Sequence, residues 1–344
     1  MNTMPLVQIH GVNDVRIDQV PVPVPGPEDV LIEVVNCGIC GSDLGYIGMG
    51  GVMPDRQPMP LGHELSGKVS AVGSAVTEVT PGQRVVVNPI ANGTAIGNGG
   101  PEGGFAPWLL VTGAAQAPDA VLPLPEPLSY EQGAMVEPLS VAMHGVNRSG
   151  VEAGQSVLVM GAGPIGLCAV VVLKYCGVED IVVVDQSAHR LSIAAQLGAT
   201  VTCDARRQDL AAVLGDHHGK TSYYGSTVVG TDLYIEATGV GAVLEQAVSL
   251  AKPDAGIVVI GVHKAPIQFN PMALMMKELR MVGSMGYAKE FSAVIDMMRS
   301  GAVDFSALIS HRFELEEFPA ALAVAGDPQR AAKVMVSINP QAGG

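Results

Sequence analysis

Basic residues are scarce in this chain: 19 Lys and Arg stand against 33 Asp and Glu in 344 residues, a formal net charge of −14. Nucleic-acid binding needs a cationic surface that displaces phosphate counterions, so that class of function is excluded. Charge of either sign is thin, at 15% against 48% hydrophobic residues, which reads as a well-buried globular protein. Long apolar runs are missing too. The longest uncharged stretch, Val157–Leu173, has 17 residues, is interrupted by Gly161-Ala162-Gly163-Pro164 and is marginal for spanning a bilayer. It reads as a buried strand and the start of a buried helix. The first residues, Met1–Pro5, lack the basic flank and apolar stretch of a signal peptide. The expectation is a cytoplasmic protein with neither a membrane nor a nucleic-acid partner.

Cysteine is sparse and odd in number: Cys37, Cys40, Cys168, Cys176 and Cys203. An odd count without an export signal argues against a disulfide framework. Cys168 and Cys176 fall in apolar, helix-like sequence and read as buried core thiols. Cys37-Gly38-Ile39-Cys40 is a CxxC that could be a redox pair or half of a zinc knuckle. No second CxxC exists and no cysteine lies between Cys40 and Cys168, so a four-cysteine site cannot be built locally.

Glycine (42) and proline (24), by contrast, are abundant and cluster at turn-like positions, which suggests a loop-rich first half rather than disorder. The length allows two domains. Over the first 140 or so residues, short Val-rich runs (Val30–Val35, Gly67–Val72, Arg84–Val87) alternate with Gly and Pro, the pattern of a barrel-like all-β unit. Near Gly150 the texture changes. Strands at Ser156–Met160, Ile181–Asp185, Leu233–Glu236 and Ile257–Gly261 alternate with helices at Ile165–Cys176, His189–Leu197 and around Gly241–Leu250, which predicts a doubly wound parallel sheet. Phe291–Met297 and Glu317–Ala325 read as helices, and a final strand, Ala332–Ile338, returns to the first domain. The expected organisation is a first catalytic part over 1–147, a Rossmann domain over 148–285, and a return to the catalytic domain over 286–344.

Gly161-x-Gly163-x-x-Gly166 follows an apolar strand and opens a helix with no charge before Lys174, and Asp185 ends the next strand 19 residues after Gly166. This is the context of a dinucleotide turn. Gly161 makes the tight turn, Gly163 admits the pyrophosphate to the backbone, and Gly166 lets helix and strand pack closely. Pro164 and Ile165 begin the helix whose free N–H groups face the phosphates. The Asp185 carboxylate accepts from the ribose hydroxyls and repels a 2′-phosphate, favouring NAD over NADP, although Arg190 lies close. Gly261 and Val262, after a buried strand, are candidates for backbone contact with the nicotinamide end. A flavin, another nucleotide or a vestigial turn is the competing reading.

Cys40-Gly41-Ser42-Asp43, Gly62-His63-Glu64 and Glu137-Pro138-Leu139 offer one thiolate, one imidazole and carboxylates. Catalytic zinc sites use three such protein ligands and one open position. Cys40 and His63 are the natural first two, Glu137 or Glu64 the third, and Asp43 a partner that holds the His63 ring. A satisfied structural histidine is the bland alternative, and spacing by itself does not choose.

These three segments, with Gly67-x-Val69, Pro81-Gly82-x-Arg84-Val85, His144 and the glycine turn, resemble the zinc-dependent medium-chain alcohol and polyol dehydrogenases over nearly the whole chain and in order. The Glu-Pro-Leu form is similar to the sorbitol and butanediol dehydrogenase branch. The resemblance implies a GroES-like β-barrel catalytic domain beside the Rossmann domain. It also implies Cys40, His63 and Glu137 as ligands of one catalytic zinc, with Glu64 able to exchange in. Ser42 would be the proton carrier, and the protein a dimer or tetramer. Two departures stand out. Asn88–Gly104, where many relatives bind a structural zinc through four cysteines, has none, so no structural zinc is expected. Gly45 stands where the family often has a histidine ending its proton relay.

The resulting expectation is an NAD-linked oxidoreductase acting on a secondary alcohol, diol or polyol. A zinc-free quinone or enoyl reductase, or a non-catalytic NAD-binding protein, is the alternative. Tyr46, Ile47, Met49 and Trp108 are weaker candidates for a substrate pocket. Met272, Met275 and Met276 read as core packing, with a substrate or subunit surface the alternative, and His217-His218 as part of a solvated loop reaching Gly230, with a second metal site the alternative.

Overall fold

The computed structural model describes residues 2–52 and 58–343. The chain divides into two compact units, one of 1–137, 309–327 and 333–344, the other of 138–308 and 328–332.

The first unit is built around strand Val30–Ile39, whose Val-Leu-Ile-Glu-Val-Val run is buried along almost its full length. It pairs antiparallel with Glu64–Val72 on one side and with Lys333–Ser337 on the other, while Trp108–Val111 pairs with its first four residues. Arg84–Val87, Val121–Pro123 and Ile309–Glu314 complete a seven-stranded sheet. Asp14–Pro21, Thr3–Gly11 and Met59–Pro60 form a second sheet. The final strand thus returns to the β unit, as the sequence suggested.

The second unit is a six-stranded parallel sheet. Its strands lie in the order Val201–Asp204, Asp180–Asp185, Ser156–Met160, Leu233–Glu236, Gly256–Val259, Arg280–Gly283. Strand order reverses between Ser156–Met160 and Leu233–Glu236, the switch point at which such sheets bind ligands beyond their carboxyl ends. Helix Pro164–Tyr175 is buried from Gly166 to Leu173, which is why its sequence is apolar on every side. Among the described residues no helix is long and apolar enough to cross a membrane.

Four expectations need correction. Residues 286–308 belong with the parallel-sheet unit rather than the β unit: helix Glu290–Ser300 is tied there by a 2.8 Å hydrogen bond between Glu290 and His144. The stretch after His218 is not a loop but an antiparallel hairpin, Lys220–Tyr223 with Ser226–Val229. Cys168 is buried, but Cys176, at the end of its helix, is exposed. Met272 and Met275, on helix Pro271–Lys277, are exposed rather than core residues.

Candidate active site

Register builds the first cluster. Gly38 pairs with Glu64 across the sheet, so Cys40, two residues past Gly38, and His63, one before Glu64, emerge at the same edge. Cys40 is also the N-cap of helix Gly41–Met49, whose Asp43 accepts the Cys40 backbone N–H at 2.8 Å. This capping arrangement fixes the turn that carries the thiol. Sγ of Cys40, a ring nitrogen of His63 and a carboxylate oxygen of Glu64 all lie within 4.8 Å of one another. Ser42 Oγ is 3.4 Å from His63 Nε2. Cys37 and Cys40 are both free thiols. Cys37 is fully buried, and burial, followed by the charges of Asp43 and Glu64, pushes its thiol well up.

Glu137 sits in the first turn of helix Val136–Ser149, buried, and stands outside this trio. Its charge is nonetheless felt at His63. Burial pulls the imidazole down, but the Asp43 carboxylate, the hydrogen bond and charge of Cys40, and Glu137 outweigh it and raise the pKa well above the ordinary value. Asp43 is buried as well, and desolvation raises its carboxyl against the opposing pull of His63. His63 Nδ1 and Asp43 Oδ1 lie 3.6 Å apart, and neither has a hydrogen-bond partner. One thiol, one imidazole and one carboxylate converging in a buried site, with the ring backed by a second carboxylate, is a donor set that suits zinc.

A residue that sequence reasoning missed completes this cluster. Lys333 Nζ lies 2.6 Å from both Glu64 oxygens and donates to the Ile39 carbonyl at 3.1 Å, and the pair is almost fully buried. The two side chains meet across the central strand above Gly38, where a Cβ would stand 2.2 Å from a Glu64 oxygen. No local signal marks Lys333, because it lies 269 residues from its partner.

Tyr46 donates to Asn98 at 3.1 Å, and its phenol is raised by burial and then by the Cys40 and Asp43 charges. Ile47 is buried, whereas Met49 is exposed.

In the second unit, the predicted turn residues gather at the carboxyl end of strand Ser156–Met160. Gly161 has φ +99°, and a Cβ there would meet the Thr238 methyl at 2.7 Å; one on Gly166 would lie 1.9 Å from the Gly161 carbonyl. Gly163 is the N-cap of helix Pro164–Tyr175 with no side-chain cap, and the space where its Cβ would go is open. Unsatisfied N–H groups at Ile165 and Gly166 beside open space form a cradle suited to a diphosphate. Asp185 holds the turn from below, accepting from Ala162 N and Ser187 N, each at 2.7 Å. Arg190 donates instead to the Ala331 carbonyl at 2.8 Å. Arg206, unnoticed in the sequence, pairs with Asp204 while feeling the Asp185 charge. Gly261 packs against Gly239 and Glu236, and Val262 is exposed. Glu236, fully buried and also missed, organises this rim by accepting from Thr238, Gly239 and His263.

Comparisons with known proteins identify the family. The alcohol dehydrogenase GroES-like domain model matches residues 26–126, and the zinc-binding dehydrogenase model matches residues 164–300. The chain is 33% identical to the (R,R)-butanediol dehydrogenase of Bacillus subtilis (strain 168), over 90% of this chain and 92% of that protein. It is 32% identical to the sorbitol dehydrogenase of Homo sapiens, over 92% and 90%. The solved 2R,3R-butanediol dehydrogenase from Bacillus subtilis superposes with a TM-score of 0.86 at 31% identity, covering 98% of this chain and all of that one. A Sinorhizobium meliloti 1021 structure described as a zinc-binding dehydrogenase, bound to NADP, superposes at 0.84 with 30% identity over 98% and 100%.

Proposed function

Since the chain belongs to the zinc-dependent medium-chain alcohol and polyol dehydrogenases, we propose that Cys40, His63 and Glu64 are its resting zinc ligands, with Glu137 poised nearby, and that NAD is its hydride acceptor. The protein is an oxidoreductase that moves hydride between a nicotinamide dinucleotide and a secondary alcohol, diol or polyol, or the matching ketone in reverse. One observation carries the ligand assignment: thiol, imidazole and carboxylate atoms within 4.8 Å of one another beside Ser42.

When bound, the zinc supplies Lewis acidity that makes a substrate hydroxyl acidic near neutral pH, and the nicotinamide supplies the hydride acceptor. Ser42 Oγ, beside the His63 ring, receives the hydroxyl proton and passes it outward; with Gly45 in place of a relay histidine, the path ends directly in solvent. Asp43 fixes the His63 ring from behind. Lys333 neutralises Glu64 and sets how strongly that carboxylate can act as a ligand. In the nucleotide site, the Asp185 carboxylate keeps lone pairs for ribose hydroxyls beyond the two backbone bonds it accepts, and its charge disfavours a 2′-phosphate. The Glu64 and Asp185 assignments are independent of each other. We further propose a homo-oligomer, a dimer or tetramer, with one zinc per chain at this site.

NAD(P)H formation against secondary alcohols, vicinal diols and polyols, with and without chelation, tests the reading. Chelator-sensitive turnover on one class is expected. Cys40→Ser should lower kcat by at least about 10³-fold with nucleotide affinity unchanged; full activity in the metal-free variant overturns the site. Asp185→Ala should erode the preference for NAD over NADP by at least about tenfold, measured as the ratio of the two kcat/KM values. An unchanged ratio removes Asp185 from cofactor selection.

A further inference from the structure

Within the parallel-sheet unit, Asp180, His217 and His218 bring one carboxylate oxygen and two imidazole nitrogens within 4.8 Å of one another. Asp180 opens strand Asp180–Asp185; His217 is the last residue of helix Leu210–His217, and His218 follows it. His217 Nε2 lies 2.7 Å from Asp180 Oδ1, and His218 Nε2 lies 3.4 Å from the same oxygen. We propose that these three residues are a second binding site for a first-row divalent cation of the imidazole-preferring kind, such as zinc, separate from the Cys40 cluster and structural in role.

The second ring carries the argument. The His218 side chain is fully buried, and its Nε2 is met at 3.4 Å by Asp180 Oδ1, a contact that falls outside hydrogen-bond geometry and leaves the atom less than fully satisfied. Its Nδ1 is engaged at 2.7 Å by the Thr231 hydroxyl. In the tautomer that donates from Nδ1 there, the Nε2 lone pair is available to a cation held between it and Asp180. Asp180 is prepared in the same way. Its second oxygen accepts from Ser156 Oγ at 2.8 Å. Each of these two ligands therefore has its outer partner, the usual support of a metal site.

The distances suit a small cation. Ligand atoms around tetrahedral zinc are roughly 3.3 Å apart, given bonds of about 2 Å. The Asp180–His218 separation already matches, and the closer His217 needs to open by roughly half an ångström. His217 is at a helix end and about a third of its side chain is exposed, so it can give way, and solvent can reach the remaining coordination position.

Location decides the role. Ser156 and Asp180 are the first residues of their strands, so this cluster is at the amino edge of the sheet. Gly161 and Asp185 lie at the carboxyl edge, roughly 16 Å away along the strand. A cation here clamps helix Leu210–His217, and the hairpin that follows it, to the sheet without meeting the cofactor's reactive end.

Zinc itself is the probe. Full-length protein, freed of metal and reloaded, should hold two zinc ions per chain by elemental mass spectrometry. His217→Ala and Asp180→Asn should each hold one and keep cofactor affinity, the check that they are folded. Cys40→Ser should also hold one, with a Kd that His217→Ala in the same background raises at least tenfold. With cobalt in place of zinc, one equivalent should bring a thiolate charge-transfer band, and the other only the weak bands of a nitrogen and oxygen site. A single zinc in the unaltered chain with the thiolate band intact, or a Kd change below tenfold, overturns the proposal and leaves the cluster a plain hydrogen-bonded group. Failure of the Cys40 site would instead show as loss of the thiolate band.

Discussion

Lys333 meets Glu64 in the first unit with side chains 2% and 0% exposed, at 2.6 Å. His217 meets Asp180 in the second at nearly the same distance, 2.7 Å, with 30% and 35% exposed. Equal geometry does not mean equal energetics. In the sealed pair, each charge has given up its hydration and depends on the other, so losing one partner strands the other. In the open pair, water takes over most of what is lost. The same contrast fits the chemistry assigned to each. A sealed, soft-ligand cluster can hold a reactive centre away from bulk water, whereas an open oxygen and nitrogen cluster suits a cation that fastens one element to another.

The contrast can be broken at three points. Lys333→Met should cost about 3–5 kcal/mol by leaving the Glu64 carboxylate buried and unpaired, read from denaturant unfolding, with Lys333→Arg recovering part of it. A cost under about 1 kcal/mol would mean that Glu64 takes up a proton or finds another partner. His144–Glu290 is intermediate, at 2.8 Å with 18% and 10% exposed, and Glu290→Gln should cost about 1.5–3 kcal/mol at pH 7. Burial tends to raise the Glu290 carboxyl, but the bonds from His144, Ala288 and Lys289 hold it below its ordinary 4.5. The stabilisation is therefore complete above about pH 4.5 and fades as the pH falls further. Unaltered and variant unfolding curves should converge in acid; a gap that stays constant to pH 3 removes the carboxylate from the account. His217→Ala in metal-free protein should cost under about 1 kcal/mol. A larger loss would place this pair with the sealed ones.

Elements with strong local patterns were legible from sequence. Ser156–Met160, Arg84–Val87, Leu233–Glu236 and helix Gly241–Leu250 fall where the apolar runs and glycine punctuation put them. Their residues are buried by the element itself, so the pattern and the structure carry the same information. The hairpin after His218 was missed because Lys220-Thr221-Ser222-Tyr223 is mostly exposed and shows no apolar alternation. Met272 and Met275 misled for the opposite reason: apolar side chains at helical spacing signal the core only when a partner surface covers them, and here they face outward.

The sequence by itself determined the reaction class through its resemblance to a known family, which rests on contiguous motifs whose residue types each have a local reason. Gly161 must adopt a positive φ, Gly166 must pack against a carbonyl, and Cys40 and Asp43 must cap one helix turn. Tertiary structure decided which carboxylate joins Cys40 and His63. Glu64 joins them by register with Gly38, while Glu137 stands outside the trio. It also decided that a lysine 269 residues along the chain neutralises Glu64, and that Asp180 meets two histidines more than 35 residues away. Those facts depend on strand pairing and burial, which act between segments with no local trace of each other, and only the folded chain contains them.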